Sequence, residues 1–223
     1  MNHPTPARAR RLLLATLAQS LLSAALLLAA PAAALADAAA FESAFARFQQ
    51  AGPDNADAVD ESAKAFQQLL AADPADPVLR AYAGAATAMR ATTTLLPWRK
   101  IAHAEDGLAL LDKALALLNA THDAPLHRGV PAVLEARLVA ANTFLRLPGM
   151  FNRGDRGRAL LQQVLGSPLL NSAPAPFRAT VWMRAAQQAE ADGLPAQARR
   201  LYEQVAAAPV PQAEQARARL AKL

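Results

Sequence analysis

Large apolar residues recur along this chain at three- and four-residue intervals, the spacing of one helix face. Phe41, Phe45 and Phe48 predict a first helix over 37–51, ended by Gly52-Pro53-Asp54-Asn55. Phe66, Leu69 and Leu70 predict a second over 57–72, and Asp73-Pro74 with Asp76-Pro77 punctuate its end. Leu79, Tyr82, Ala83, Ala86 and Met89 mark a small-residue helix over 78–93. His103 to Asp106 reads as the opening of the next helix. Leu134, Leu138, Ala141 and Leu145 form one stripe over 131–147. Two further helices follow over 176–191 and 195–207, the latter carrying Leu201, Tyr202 and Val205. The last, 211–223, is charged and poor in large apolar residues, as expected of a polar cap. Strand-like alternation is scarce, and Ala, the best helix former, is abundant while aromatics make up 5%. The expected fold is all-α.

Two segments repeat each other. Gly107-Leu-Ala-Leu-Leu-Asp-Lys-Ala-Leu115 and Gly157-Arg-Ala-Leu-Leu-Gln-Gln-Val-Leu165 share Gly, Ala and three Leu at matching places. Phe66, Leu111, Leu161 and Tyr202 then become equivalent anchors of four second helices. Near the C-terminus, Trp182, Ala185, Ala186, Ala189, Ala198 and Tyr202, with Gly193 between them, follow a large-small-small, turn, small-aromatic spacing. This stretch resembles a tetratricopeptide repeat (TPR), a helical hairpin that stacks into a superhelix. Pro74 and Gly84 fall in the same register. The anchors are spaced more widely than the usual period of about 34 residues, with the extra length before each second helix at 92–98 and 147–152. The resemblance implies an α-solenoid of about four antiparallel hairpins over 37–223, with Trp182 in its core. It also implies a groove, lined by first helices, that holds a peptide or partner helix. By this register Met183, Gln187 and Glu190 face the groove in the last unit, and Ala81, Ala85 and Ala88 in an earlier one.

Residues 1–36 are of a different kind. Arg8, Arg10 and Arg11 precede an apolar run from Leu12 to Ala30; Pro31 breaks it, and Ala34-Leu35-Ala36 offers a small-x-small cleavage site. This reads as a secretory signal peptide, giving a periplasmic or secreted protein without stable membrane insertion after cleavage. Its removal takes three Arg and no acid, so residues 37–223 carry 20 basic and 18 acidic residues, a net charge of +2 rather than +5. Nucleic-acid binding, which needs a concentrated basic surface, loses its motive. Cys is absent, which excludes disulfides, thiolate metal sites and cysteine catalysis.

Candidate chemistry is sparse. His103, Glu105 and Asp106 lack the two-His helical spacing of a metalloprotease; acids at a helix start are the plainer reading. His122, Asp123 and His127 match no strong zinc spacing and read as polar loop residues. No phosphate loop or nucleophile elbow is present. Arg153, Arg156 and Arg158, with Arg146 nearby, are the one clustered charge; they offer an anion site, set against a solvated turn. The expectation is a non-catalytic scaffold, without cofactor or metal, that binds a protein or peptide in the cell envelope. The alternative is a receptor for an anionic small molecule or envelope polymer at the Arg153–Arg158 turn.

N-terminal sequencing of the exported protein should read Asp37 first. Recovery of membrane-bound chain that keeps residues 1–36 would overturn the signal-peptide reading.

Overall fold

The computed structural model describes residues 35–223. The proposed signal segment therefore lies, through residue 34, outside the described residues. The chain divides into two compact units, Met1–Ser43 and Ala44–Leu223. A helix over residues 35–50, α1, crosses that boundary, and its part from Ala44 onward belongs to the second unit.

Among the described residues the fold is all-α, with nine α-helices. After α1 come α2 (Ala56–Ala72), α3 (Pro77–Thr93), α4 (Pro97–Leu117), α5 (Ala132–Phe144), α6 (Gly154–Leu165), α7 (Ala175–Ala191), α8 (Pro195–Ala207) and α9 (Gln212–Leu220). Helices consecutive in the chain pack on one another: α2 on α3, α3 on α4, α5 on α6, α7 on α8 and α8 on α9, while α3 also packs on α5. None of the described helices is long and apolar enough to cross a membrane.

Local chemistry explains the boundaries. Asn55 closes the turn after α1 and caps α2, its side chain accepting from the Ala58 amide at 3.2 Å. Asp76 caps α3 by accepting from the Val78 and Leu79 amides at 2.7 and 3.0 Å, and Pro77 sits at the first helical position, where no amide donor is needed. Gly193 ends α7 at φ +72°, and the Leu194 amide reaches back to the Ala189 carbonyl at 2.8 Å.

The pattern misplaced two boundaries. α4 begins at Pro97 rather than near His103, so His103, Glu105 and Asp106 lie inside a helix instead of capping one. Thr92 and Thr93 complete α3, and Pro97 and Trp98 begin α4, so most of the expected extension is helical. α5 stops at Phe144, three residues early, where the chain turns toward Gly149–Phe151, a 3-10 turn. A short hairpin was also missed. Pro125–His127, β1, pairs antiparallel with Val130–Pro131, β2.

The core follows the repeated positions. Phe66, Leu111, Leu161 and Tyr202 are all buried, as are Ala186 and Ala198 where α7 meets α8. Trp182 differs. It is half-buried, with the Arg178 guanidinium 5.9 Å from its ring. The large buried aromatic of that hairpin is instead Tyr202, whose hydroxyl donates to Glu190 at 2.6 Å.

The repeated glycines share one physical reason. A Cβ on Gly107 would lie 2.6 Å from the Gly84 carbonyl and 2.7 Å from Ala88, and one on Gly84 would meet the Gly107 carbonyl at 2.8 Å. α3 and α4 thus touch backbone to backbone. At Gly157, the matching place on α6, a Cβ would sit 2.8 Å from Leu145 Cγ and 3.1 Å from Phe144 Cβ. Gly107→Ala should destabilise by about 1–3 kcal/mol by overpacking that contact. Gly149→Ala, where nothing lies within 4 Å of the added Cβ, should be neutral or slightly stabilising. Chemical denaturation of both variants checks the pair, and equal loss at the two positions would refute the close-contact explanation.

Candidate functional site: an apolar groove with a buried polar floor

The site is built from the hairpin upward. Arg128 and Gly129 both have positive φ, 50° and 67°, the backbone of a tight two-residue hairpin turn. Glycine takes that conformation freely; Arg128 does so at some strain. This turn brings the Arg128 side chain back to Glu135, in the first turn of α5, where the two form an ion pair. Glu135 is only 1% exposed. Tyr82 on α3 donates to Glu135 Oε1 at 2.9 Å, and Arg128 donates to the Tyr82 hydroxyl oxygen at 3.2 Å.

Aromatic rings wall this triad. The Arg128 guanidinium lies 3.6 Å from the centroid of Phe45, a cation–π contact. Phe45 and Phe48 meet Tyr82 edge to face at 5.7 and 5.1 Å, and Phe66 stacks on it at 4.8 Å. Burial pushes the Glu135 carboxyl above its ordinary value, against the opposing pull of Arg128. Burial, and next the charge of Glu135, push the Tyr82 hydroxyl well up, so it remains a hydrogen-bond donor. Beside the triad, His127 contacts Asp76 at 2.7 Å. Burial works to raise the Asp76 carboxyl, but the His127 contact and the Leu79 and Val78 amides outweigh it and hold the group below its usual value.

The triad forms part of the floor of a cavity of about 1270 Å³. Its wall is drawn from α1, α3, α4, α5 and α7, with Pro97, Lys100, Ile101 and Ala104 coming from α4. α1 supplies Phe45 and Phe48, α3 supplies Ala85, Ala88 and Met89, and α5 supplies Leu138, Val139 and Asn142. α7 supplies Phe177 and Thr180. Ile101 of α4 and Met150 stand at the rim, 41% and 69% exposed. Among the described residues three cations line the cavity, Lys100, Arg128 and Arg146, against one carboxylate, Glu135.

The sequence-predicted residues are distributed differently from expectation. Ala85 and Ala88 line the cavity and Ala81 is buried. Met183, Gln187 and Glu190 are not among its lining residues. Met183 is buried, and Glu190 accepts from Tyr202 and lies 3.8 Å from Arg219, so α7 uses these two positions in packing. The arginine cluster is engaged internally. Arg153 makes a two-point contact with Asp112 at 3.2 and 2.9 Å, Arg156 pairs with the same carboxylate, and Arg158 pairs with Asp155. Arg153 and Arg156 also sit 5.4 Å from the Phe144 ring. Two cations at the start of α6 oppose the helix dipole, and Asp112 on α4 offsets them. His122 accepts from the Asn119 amide at 3.1 Å. Among the described residues no group of three or more His, Asp or Glu is placed to hold a metal ion.

Sequence reasoning missed Glu135, Arg128 and Asn142. A signal existed for the first: Glu135 is the one acid of α5 and stands within the apolar run Ala132-Val-Leu-Glu-Ala136. Nothing local marked Arg128, whose role depends on a turn that Arg-Gly does not strongly signal.

The chain matches no known protein family, no curated protein and no solved structure. Fold and site therefore define it by class: an all-α protein of consecutively packed helices with a large, mostly apolar groove.

Removing Arg128 leaves a buried carboxylate uncompensated, so Arg128→Ala should lower stability by about 3–5 kcal/mol. Replacing both partners, Arg128→Leu with Glu135→Leu, should recover most of that loss. A double-mutant cycle by chemical denaturation measures the coupling; additive losses would mean that the pair does not interact.

Proposed function

We propose that this protein is an exported, non-catalytic, TPR-like binding module that holds a segment of a partner protein in the groove. The observation that carries this reading is the cavity itself, large, open and mostly apolar, with α1, α3, α5 and α7 on its wall together with part of α4. Its volume exceeds the roughly 300–1,000 Å³ of small-molecule pockets. Apolar side chains at the rim suit a partner that buries them. The only carboxylate of the lining among the described residues, Glu135, is held between Arg128 and Tyr82, which suits a structural role better than acid–base work. The anion-receptor reading draws no support from the Arg153–Arg158 turn, where every arginine has a carboxylate partner. Export rests on the signal-like pattern of residues 1–36.

Ile101→Glu with Met150→Glu should place unpaired charge in the contact while leaving the fold intact, since both side chains are exposed. Recovery of the partner from the cell envelope, quantified by mass spectrometry, should fall by about tenfold or more. Leu95→Glu, at a side chain 91% exposed and outside the groove, should have no effect. Equal recovery with all three proteins would refute the groove as the binding surface.

A further inference from the structure

Large apolar side chains left in water are concentrated at one place. Of the nine that are exposed among the described residues, four fall between positions 95 and 101: Leu95, Leu96, Trp98 and Ile101. A fifth, Met150, stands on the rim of the same cavity as Ile101. Single exposed apolar residues are ordinary, but a cluster marks a surface that another body covers. Leu95 and Leu96 lie in the link between α3 and α4, and Trp98 and Ile101 follow one turn apart at the start of α4. Trp98 is 65% exposed and, like Leu95, lies outside the groove. An occupant of the groove therefore leaves this tip in water.

Charge indicates what covers it. Arg99 and Lys100 stand between Trp98 and Ile101, both exposed, and neither has an ion-pair partner among the described residues. No Asp or Glu occurs from residue 77 through residue 104. The adjoining groove adds an exposed cation, Arg146, while its carboxylate, Glu135, is buried. The complement of such a tip is an apolar layer beneath a negatively charged surface, which is the order of an anionic bilayer. Leu enters the acyl boundary, Trp sits at headgroup level, and Arg and Lys extend to the phosphates. A stable protein interface draws on about 20–30 residues a side, and this tip offers seven.

Depth agrees. The first acids after the tip are Glu105 and Asp106. Glu105 comes seven residues after Trp98, about 10 Å along the helix axis, and interfacial segments are buried about 5–10 Å deep. Entry by the start of α4 keeps both carboxylates out of the apolar layer. No described helix can cross a membrane, so the contact is peripheral.

We propose that the α3–α4 tip, residues 95–101, docks this protein on an anionic lipid surface, with Leu95, Leu96 and Trp98 entering the interface and Arg99 and Lys100 binding lipid phosphates. The contact does not depend on what occupies the groove.

The test uses the full chain carrying Trp182→Phe, which leaves Trp98 as its one tryptophan. Vesicles are phosphatidylcholine alone or phosphatidylcholine and phosphatidylglycerol in equal parts. Trp98 emission should move to shorter wavelength on titration with the mixed vesicles, and it reports the tip itself whatever residues 1–36 contribute to binding. The shift should need about tenfold or more lipid with phosphatidylcholine alone, since each of the two cations contributes about fivefold at an anionic surface. Arg99→Gln with Lys100→Gln should remove most of that preference. Leu95→Glu, at an exposed side chain, should keep the helical circular dichroism and weaken the mixed-vesicle interaction by about tenfold. Quenching of the wild-type chain by a doxyl-labelled lipid serves if the Trp182 variant does not fold. Trp98 emission unmoved by mixed vesicles, equal titrations with the two vesicle types, or a response undiminished by either set of tip substitutions would each overturn the inference. So would loss of partner recovery in Leu95→Glu without any vesicle response, which would make the tip part of a protein interface.

Discussion

The arrangement around the groove depends on one buried carboxylate. Glu135 lies in the first turn of α5 with almost no access to solvent. A charge in that position is tolerated only when it is paired and hydrogen-bonded. Two different elements meet the requirement: Arg128 arrives from the hairpin before α5, and Tyr82 arrives from α3. Satisfying Glu135 therefore fixes where the hairpin lies and how α3 and α5 face each other. Tyr82 in turn carries the aromatic contacts of Phe45, Phe48 and Phe66, so the same pairing extends to α1 and α2. Hydrophobic burial supplies most of the driving force here, and the ion pair adds a geometric constraint on how these elements meet.

Small residues set the other constraint. At Gly84 and Gly107 the backbones of α3 and α4 approach too closely for any side chain, and Ala88 fills the next position. Close approach brings the rows of alanine into contact, which compensates for a composition short of aromatics. Alanine cores bury little area per residue, so packing density must do what large side chains do elsewhere. Large apolar side chains are then left for the groove. Phe45, Phe48, Met89, the buried Phe177 and, at the open rim, Ile101 and Met150 line the cavity.

Several charged residues outside the groove tie helices together. Asp112 clamps Arg153 and Arg156 across α4 and α6, and Glu190 joins α7 to α8 through Tyr202 while approaching Arg219 of α9. That is why a sequence cluster with the look of an anion site resolves into interhelical ties. Buried polar atoms without a partner occur at Glu135, Asn142 and Gln212 of the groove lining and also at Arg80 and Arg184 outside it.

Helix content, most helix positions and the buried repeat anchors Phe66, Leu111, Leu161 and Tyr202 were legible in the sequence, because periodicity and capping residues act over a few positions along the chain. The glycine matches at 107 and 157 were legible as a pattern, though not as the backbone contacts they serve. The ends of α4 and α5 were misread where proline and apolar residues suit both helix and turn. The α7 residues that line the cavity, Phe177 and Thr180, differ from the expected Met183, Gln187 and Glu190, because a repeat register says which side of a helix faces inward, while the packing of α8 and α9 decides what remains open. The polar floor was not legible. Arg128 meets Glu135 only through an Arg-Gly turn in a strained backbone, and Tyr82 lies 53 residues from Glu135 in the chain. Short-range chemistry wrote the helices into the sequence; the groove and its unpaired acceptors exist only once distant helices have packed.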